Sequence, residues 1–329
     1  MEKIRIKTSS RLHFGLIDLN GELGRVDGGI GVALKEPNII VNAKFNENLY
    51  ICCTERLDEI ENAINKIRDN IKNFNANIKI SIENQIPAHS GLGSTTQLLL
   101  ASAKAACELN KISLASKELS KIIGRGGTSG IGTGVFDHGG FILDGGHAFG
   151  GGKEKNRFLP SSASRASPAP VLARYDIPEN WYFVVVVPGV RSKIYGQKEV
   201  NIFQKYCPVP PNDVEKLSRL ILMKILPSVV ERDIESFGSG LKMMQGIGFK
   251  KIEVLLQDKI INELIENLNK ISYGSGMSSF GPAVYALEDS KKNAKEAADA
   301  AARFLKERGV NFEIFITNAN NCGAEIEYN

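Results

Sequence analysis

The chain opens with the alternation of a strand: Ile4 and Ile6 stand between charged residues, and Ile30 to Leu34 and Ile39 to Val41 continue the pattern. Strict alternation returns from Asn77 to Glu83, where Ile78, Ile80 and Ile82 oppose Lys79, Ser81 and Glu83, and this predicts a half-buried strand. Before it, Leu57, Ile60, Ile64, Ile67 and Ile71 recur at helical spacing within residues 56–73. A Leu- and Ala-rich helix is predicted over Thr95 to Asn110, and a shorter one from about Leu114 to Ile123. In the second half a dense apolar strand, Tyr182 to Val187, precedes amphipathic helices near 212–226, 229–245, 252–270 and 290–308, the last with a solvated Lys-rich face. Phe312 to Thr317 and Ala324 to Tyr328 alternate again. Strands and helices in mixed order predict an α+β fold.

Two stretches break the pattern. Of the 29 residues from Gly124 to Gly152, 13 are glycine, too many for a helix or an ordinary strand. Residues 160–170, P-S-S-A-S-R-A-S-P-A-P, predict a surface loop. The domain boundary is expected there, dividing the chain into 1–165 and 166–329.

Composition narrows the class. Over 329 residues, 43% are hydrophobic and 24% charged, which excludes a disordered chain or a low-complexity fibre. The net charge of +4 argues against a general nucleic-acid surface. No apolar run approaches the roughly 20 residues of a membrane helix. Met1 to Lys7 alternates charge with Ile instead of building an export signal, so the expected location is the cytoplasm, with no membrane partner. Five cysteines, at 52, 53, 107, 207 and 322, form no C-x-x-C pair and are expected to be reduced and mostly buried.

The sharpest local signal is P-A-H-S-G-L-G-S-T-T at residues 87–96, between a strand and an apolar helix. Gly91 and Gly93 would let the backbone approach a ligand, and free N–H groups at the helix start would hold an anion such as phosphate. A tight turn with Ser94 as an ordinary cap fits the same residues. The P-loop and dinucleotide fingerprints are absent, as is the acidic pair followed by Thr-Thr-Gly that marks ordinary phosphoribosyltransferases. Two further glycine-rich stretches accompany this one, G-R-G-G-T-S-G-I-G-T-G-V-F-D-H-G-G-F-I-L-D-G-G from Gly124 and Y-G-S-G-M-S-S-F-G-P-A-V-Y-A-L from Tyr273.

Together the three resemble the GHMP kinase superfamily. Its P-x-x-x-G-L-G-S-S-A-A motif matches Pro87 to Ser94, with Thr95 and Thr96 replacing the last Ser-Ala. Its late S-G-x-G loop is matched by Ser275 and Gly276. The resemblance implies a two-domain fold, with a ribosomal S5-like N-terminal domain, a ferredoxin-like C-terminal domain and the site in the cleft between them. Many of those kinases carry S-G-x-D in the middle loop, where Asp orients the acceptor hydroxyl. Here the segment reads Ser129-Gly130-Ile131-Gly132, and no acidic metal ligand is evident in residues 119–125.

The N-terminal stretch sharpens the match. R-L-H-F-G-L-I-D from Arg11, G-R-V-D-G-G-I-G from Gly24 and T-S-G-I-G-T-G-V-F from Thr128 resemble the GHMP-related archaeal β-ribofuranosylaminobenzene 5′-phosphate synthases of methanopterin biosynthesis. That resemblance implies joining phosphoribosyl pyrophosphate to 4-hydroxybenzoate or 4-aminobenzoate, with loss of carbon dioxide and pyrophosphate. It implies Mg²⁺ and no organic cofactor, and is compatible with a homodimer. Asp18, Arg25 and His13 become the expected catalytic residues. Arg11, Gly91, Gly93, Ser94, Thr95, Ser129, Gly130, Ser275 and Gly276 are expected to bind substrate or phosphate, with Asp18 and Ser94 as metal ligands. Plainer readings stand beside these: a surface ion pair for Arg25, a turn residue for Asp18 ahead of Asn20-Gly21, and structural hydrogen bonds for His13, His89, His138 and His147. Asp137 and Asp144 either cap turns or reach a metal or substrate. Asp27 and His13 stand next in line if Asp18 and Arg25 carry no catalytic role. A small-molecule kinase using ATP and a non-catalytic sensor of a phosphorylated metabolite are the competing functions.

Overall fold

The computed structural model describes residues 3–52, 55–190, 194 and 196–329. The N-terminal alternation becomes two long antiparallel strands, β1 (Lys3–Asp18) and β2 (Arg25–Phe45), joined by a turn in which Gly21 has φ 81°. Strand β2 is the hub of the first sheet. It pairs with β1, β4 (Ile78–Asn84), β5 (Phe141–Asp144) and β6 (His147–Ala148). The order runs β12-β1-β2-β4-β3, with β12 (Glu325–Tyr328) closing on β1. Strand β3 (Tyr50–Cys52) lies parallel to β4, and α1 (Leu57–Asn70) makes the crossover, burying Ile60, Ile64 and Ile67 as their spacing predicts.

The second sheet is antiparallel, in the order β11-β8-β10-β9: β11 (Phe312–Asn318), β8 (Tyr182–Pro188), β10 (Val284–Glu288) and β9 (Gly274–Met277). One face of β8, Val184 and Val186, packs under α10 (Lys259–Leu268) and α11 (Lys291–Lys306). Phe183 and Val185 on the other face join the large core that also holds Leu12, Phe14 and Val32 of the first sheet. A strand covered on both faces has no polar side, hence the unbroken apolar run. Helix α8 (Ile234–Met244) ties the halves together: the Phe237 ring lies 6.2 Å from Phe14, 6.0 Å from Phe141 and 5.1 Å from Trp181.

The structure departs from several expectations. The glycine-rich run contains helix α4 (Ile131–His138) and β5, because its glycines are sites of close packing as well as turns. A Cβ on Gly132 would lie 2.9 Å from the Thr96 methyl, and one on Gly134 would lie 3.2 Å from both Ile142 and Val171. Strand β7 (Val171–Tyr175) pairs with β5, so the first sheet extends to Tyr175. Finally, Cys107 is buried as expected, but Cys52 and Cys322 are exposed; Cys53 lies outside the described residues. The expected helix over 212–226 divides into α6 (Pro211–Leu220) and a π-helical turn (Ile221–Ile225), which runs on into α7 (Leu226–Glu231). That over 252–270 divides into α9 (Gly248–Leu255) and α10. An unforeseen α5 (Gln197–Tyr206) precedes them. Among the described residues no helix is long and apolar enough to cross a membrane.

Because one core runs through both sheets, the two halves should unfold together. Phe237→Ala is expected to cost about 3–5 kcal/mol, the range for truncating a buried aromatic. Urea unfolding followed by the single Trp181 and by far-ultraviolet circular dichroism should give one coincident transition, shifted to lower urea in the variant.

Candidate functional site

Along β1 the pleat sends Leu12 and Phe14 into the core and turns Arg11 and His13 to the other face. There they meet the loop that precedes α2 (Ser94–Leu109). Gly91 (φ 84°) and Gly93 (φ 82°) hold this loop in the left-handed region, where a side chain is costly. A Cβ on Gly91 would collide with the Ser278 carbonyl, and one on Gly93 would lie 3.1 Å from Cγ of Arg11. Gly93 stands at the N-cap of α2 and supplies no side-chain cap to the first amides of the helix.

Three segments lock together around this turn. The Arg11 amide donates to the Leu92 carbonyl at 3.0 Å, and its guanidinium Nη1 donates to the Gly91 carbonyl at 2.5 Å. The Ser278 hydroxyl donates to Gly91 O at 2.7 Å and accepts from the His13 amide at 3.0 Å. The Ser279 amide donates to His13 O at 2.8 Å. The late glycine motif therefore reaches the site through Ser278 and Ser279, two and three residues beyond Gly276. Ser275 and Gly276 are strand residues instead: the Ser275 hydroxyl donates to Ile265 O at 2.9 Å, and a Cβ on Gly276 would press on Gln245 and Tyr285. Both residues are packed between β9 and the helices that cover it.

The middle loop joins from the other side. Asp144, fully buried, accepts from the amides of Gly130 and Gly146, each at 3.0 Å, and from the Ser129 hydroxyl at 3.2 Å. Ser129 Oγ in turn lies 3.1 Å from Nε2 of His13 and accepts from the Ile131 amide at 3.2 Å. Burial outweighs these three donors and lifts the Asp144 carboxyl to about 6, with Asp27 adding a smaller push. Burial also drives the His13 pKa well below the ordinary histidine value, and the cations Arg11 and Lys250 add to this, so His13 is a neutral ring.

Cations outnumber their partners here. Arg125 donates through Nε and Nη2 to Thr96 Oγ1 at 3.3 and 3.2 Å. Arg56 is held bidentately by Glu59 at 2.8 and 2.9 Å and turns Nη1 to Ser94 Oγ at 3.5 Å. Buried Lys250 bonds Glu253 and Ser279 O, each at 2.8 Å, and burial lowers its pKa. Glu199 rises to about 7 through burial and the nearby Glu253. Sequence reasoning missed Arg56, Arg125, Lys250, Glu199 and Glu253. An arginine inside a glycine run (G-R-G-G) was a usable signal for Arg125, and so was the Lys250/Glu253 pair on the apolar face of α9.

Asp18 and Arg25 stand elsewhere, at the far end of the β1–β2 pair. Asp18 Oδ1 accepts from the Asn20 and Gly21 amides at 2.7 and 3.0 Å, closing the turn. Arg25 donates to the carbonyls of Gly145 and Gly146. Both border an apolar cavity of about 480 Å³ with Ile17, Leu143, Leu172 and Leu222. Asp27, at the same end, is buried against His147 at 2.6 Å and Lys155 at 2.7 Å. The expected metal pair, Asp18 and Ser94, is thus not brought together. Ser94 faces a guanidinium, and among the described residues no three His, Cys, Asp or Glu side chains are grouped to hold an ion. Magnesium wants several oxygen ligands of negative or carbonyl character, and these residues do not offer them.

The Asp144 carboxyl yields a prediction. Its folded pKa of about 6 lies above the ordinary 3.8, so the native state holds the proton more tightly. Its contribution favours folding below about pH 4 and is lost as pH rises through about 6. Asp144→Asn should lose less stability between pH 4 and pH 7 than the parent protein, by on the order of 1–2 kcal/mol in paired urea titrations. His13 should show no imidazole protonation by NMR at pH 6.

Comparison with known proteins follows the same lines. Residues 58–145 match the model of the GHMP kinases N terminal domain and residues 225–307 that of the GHMP kinases C terminal domain. A β-ribofuranosylphenol 5′-phosphate synthase of Methanocaldococcus jannaschii is 46% identical, over 98% of this chain and 99% of its own length. One from Methanothermobacter thermautotrophicus is 44% identical over 97% of each chain. The crystal structure of Streptococcus pneumoniae phosphomevalonate kinase superposes with a TM-score of 0.72, covering 97% of this chain and 100% of that one at 12% identity, a likeness of fold. The chain belongs to the GHMP kinase superfamily and, within it, to the family of the archaeal β-ribofuranosylphenol 5′-phosphate synthases.

Proposed function

We propose that this enzyme is a decarboxylating phosphoribosyl transferase that condenses phosphoribosyl pyrophosphate with 4-hydroxybenzoate. The near-full-length likeness to synthases whose named product is a ribofuranosylphenol phosphate carries this reading, since losing the carboxyl of the hydroxy acid leaves a phenol. 4-Aminobenzoate would leave an aniline. In the reaction the bond from the ribose anomeric carbon to pyrophosphate breaks, with the electron pair leaving on oxygen. The ring carbon bearing the carboxylate attacks that centre. The carbon–carboxylate bond then breaks, its electrons restore the aromatic ring, and carbon dioxide departs. No enzyme nucleophile is required; positioning and charge neutralisation suffice.

The open amides of α2 suit the departing pyrophosphate, and Arg11 flanks them. The neutral His13, steadied by Ser129 and Asp144, sits beside that turn without adding charge to a centre that becomes cationic. Phosphoryl transfer is disfavoured on geometry. The position where related kinases carry their Asp is Gly132, and a Cβ there would already be 2.9 Å from Thr96, leaving no room for a carboxylate.

Incubation with phosphoribosyl pyrophosphate and carboxyl-labelled 4-hydroxybenzoate should release labelled carbon dioxide and pyrophosphate in equal amounts without ATP. Consumption of ATP with an alcohol acceptor, and no pyrophosphate, would overturn the reading. Gly93→Val should separate site from scaffold. The new side chain must enter the left-handed region and displace Arg11, so affinity for phosphoribosyl pyrophosphate should fall about a hundredfold while stability falls by about 1–2 kcal/mol. Fluorescence-detected binding and thermal melting measure the two.

A further inference from the structure

Beside α2, among the described residues, Arg56 alone of three neighbouring arginines is bonded to a carboxylate. Three guanidinium groups converge there from separate elements: Arg11 from β1, Arg56 from the start of α1, and Arg125 from the segment after α3 (Ser116–Ile123). Among the described residues neither Arg11 nor Arg125 forms an ion pair with a carboxylate; their bonds go to the Gly91 carbonyl and the Thr96 hydroxyl. Arg56 has Glu59, which occupies Nε and Nη2 and leaves Nη1 directed at Ser94. Each arginine thus spends part of its donor fork on fixing its own position beside Gly91, Ser94 or Thr96. The charges feel one another: burial and the neighbouring Arg125 lower Arg11 to about 10 against the pull of Glu253, and burial lowers Arg125 against the pull of Glu59 and Glu199, with Arg56 adding a smaller push downward. Holding like charges together in a half-buried place is unfavourable unless an anion joins them.

We infer that Arg11, Arg56 and Arg125 form a guanidinium clamp for a diphosphate group seated on the first turn of α2, neutralising with protein cations the charge that a protein-held metal would otherwise meet. A planar guanidinium presents two parallel N–H donors to two phosphate oxygens, a geometry a lysine cannot copy. The diphosphate is the kind of group that the proposed reaction expels, so the inference rests on that reading for its ligand. The clamp also accounts for the failure of Ser94 and Asp18 to form a metal site: the ground beside Ser94 is already cationic.

Calorimetric titration of the full chain with inorganic pyrophosphate, in buffer containing EDTA, tests this directly. The parent protein should bind without divalent metal. Arg125→Met and Arg56→Met should each weaken binding by about tenfold or more, and Arg125→Lys should recover only part of the loss. Arg219→Met, on the exposed side of α6, should leave affinity unchanged and so controls for general charge. Circular dichroism melts of every variant confirm that folded protein is compared. Binding that requires Mg²⁺, or affinity unchanged in both methionine variants, would overturn the clamp. Metal-free binding that the variants lose, in a protein that releases no carbon dioxide from the benzoate, would leave the clamp standing and remove the proposed reaction instead.

Discussion

One hydroxyl group holds the site's parts in register. Ser278 accepts the His13 amide and donates to the Gly91 carbonyl, so one side chain joins the first strand, the loop before α2 and the loop after β9. These segments lie 78 to 265 residues apart in the chain. With the bridge in place, Arg11 comes to lie along Gly93, and the amides of α2 open toward the same space. A buried hydroxyl that satisfies two backbone groups is worth more than its own hydrogen bonds, since losing it strands both partners.

Much of this was legible in the chain. Alternation located β1, β2, β4 and the closing strands, helical spacing located α1 and α11, which each bury one face, and richness in Leu and Ala located α2, which is buried nearly all round. The turn before α2 was legible too, since Gly91 and Gly93 stand where backbone conformation admits little else. Composition misled in the middle loop. Thirteen glycines suggested irregular chain, yet Gly132 and Gly134 are glycine because α4 presses against Thr96, Ile142 and Val171, a tertiary demand with no local trace. The arginines were hidden for a similar reason. Arg56 and Arg125 stand 69 residues apart in the chain and meet only when the fold brings them to one helix end. Asp18 and Arg25 show the converse. Crowding of charge in sequence placed them with His13, but the bulge between His13 and Gly15 and the length of β1 carry them to another end of the sheet, onto backbone groups.

The fold and the chemistry separate cleanly in this molecule. The fold of the GHMP kinases is retained, including the glycine turn that leads into α2. The position that would carry the base has instead been given over to packing between α2 and α4. The same helix end can serve donation of a phosphoryl group or departure of a diphosphate, because both need negative charge met by fixed dipoles and cations. In the proposed reading the distinction falls at Gly132, where a Cβ would lie 2.9 Å from the Thr96 methyl.

The closing of β12 on β1 bears on how the chain is made. Ile4 to Lys7 pair with Glu325 to Tyr328, and the Asn320 side chain reaches Ser9 at 2.7 Å. A ribosome delivers β12 some 320 residues after β1, so throughout synthesis of both halves the outer edge of β1 stands unpaired. An exposed strand edge is an invitation to pair with another chain. Arg5 and Lys7 on that edge place charge where a stray strand would dock, which protects the growing polypeptide until its own last strand arrives.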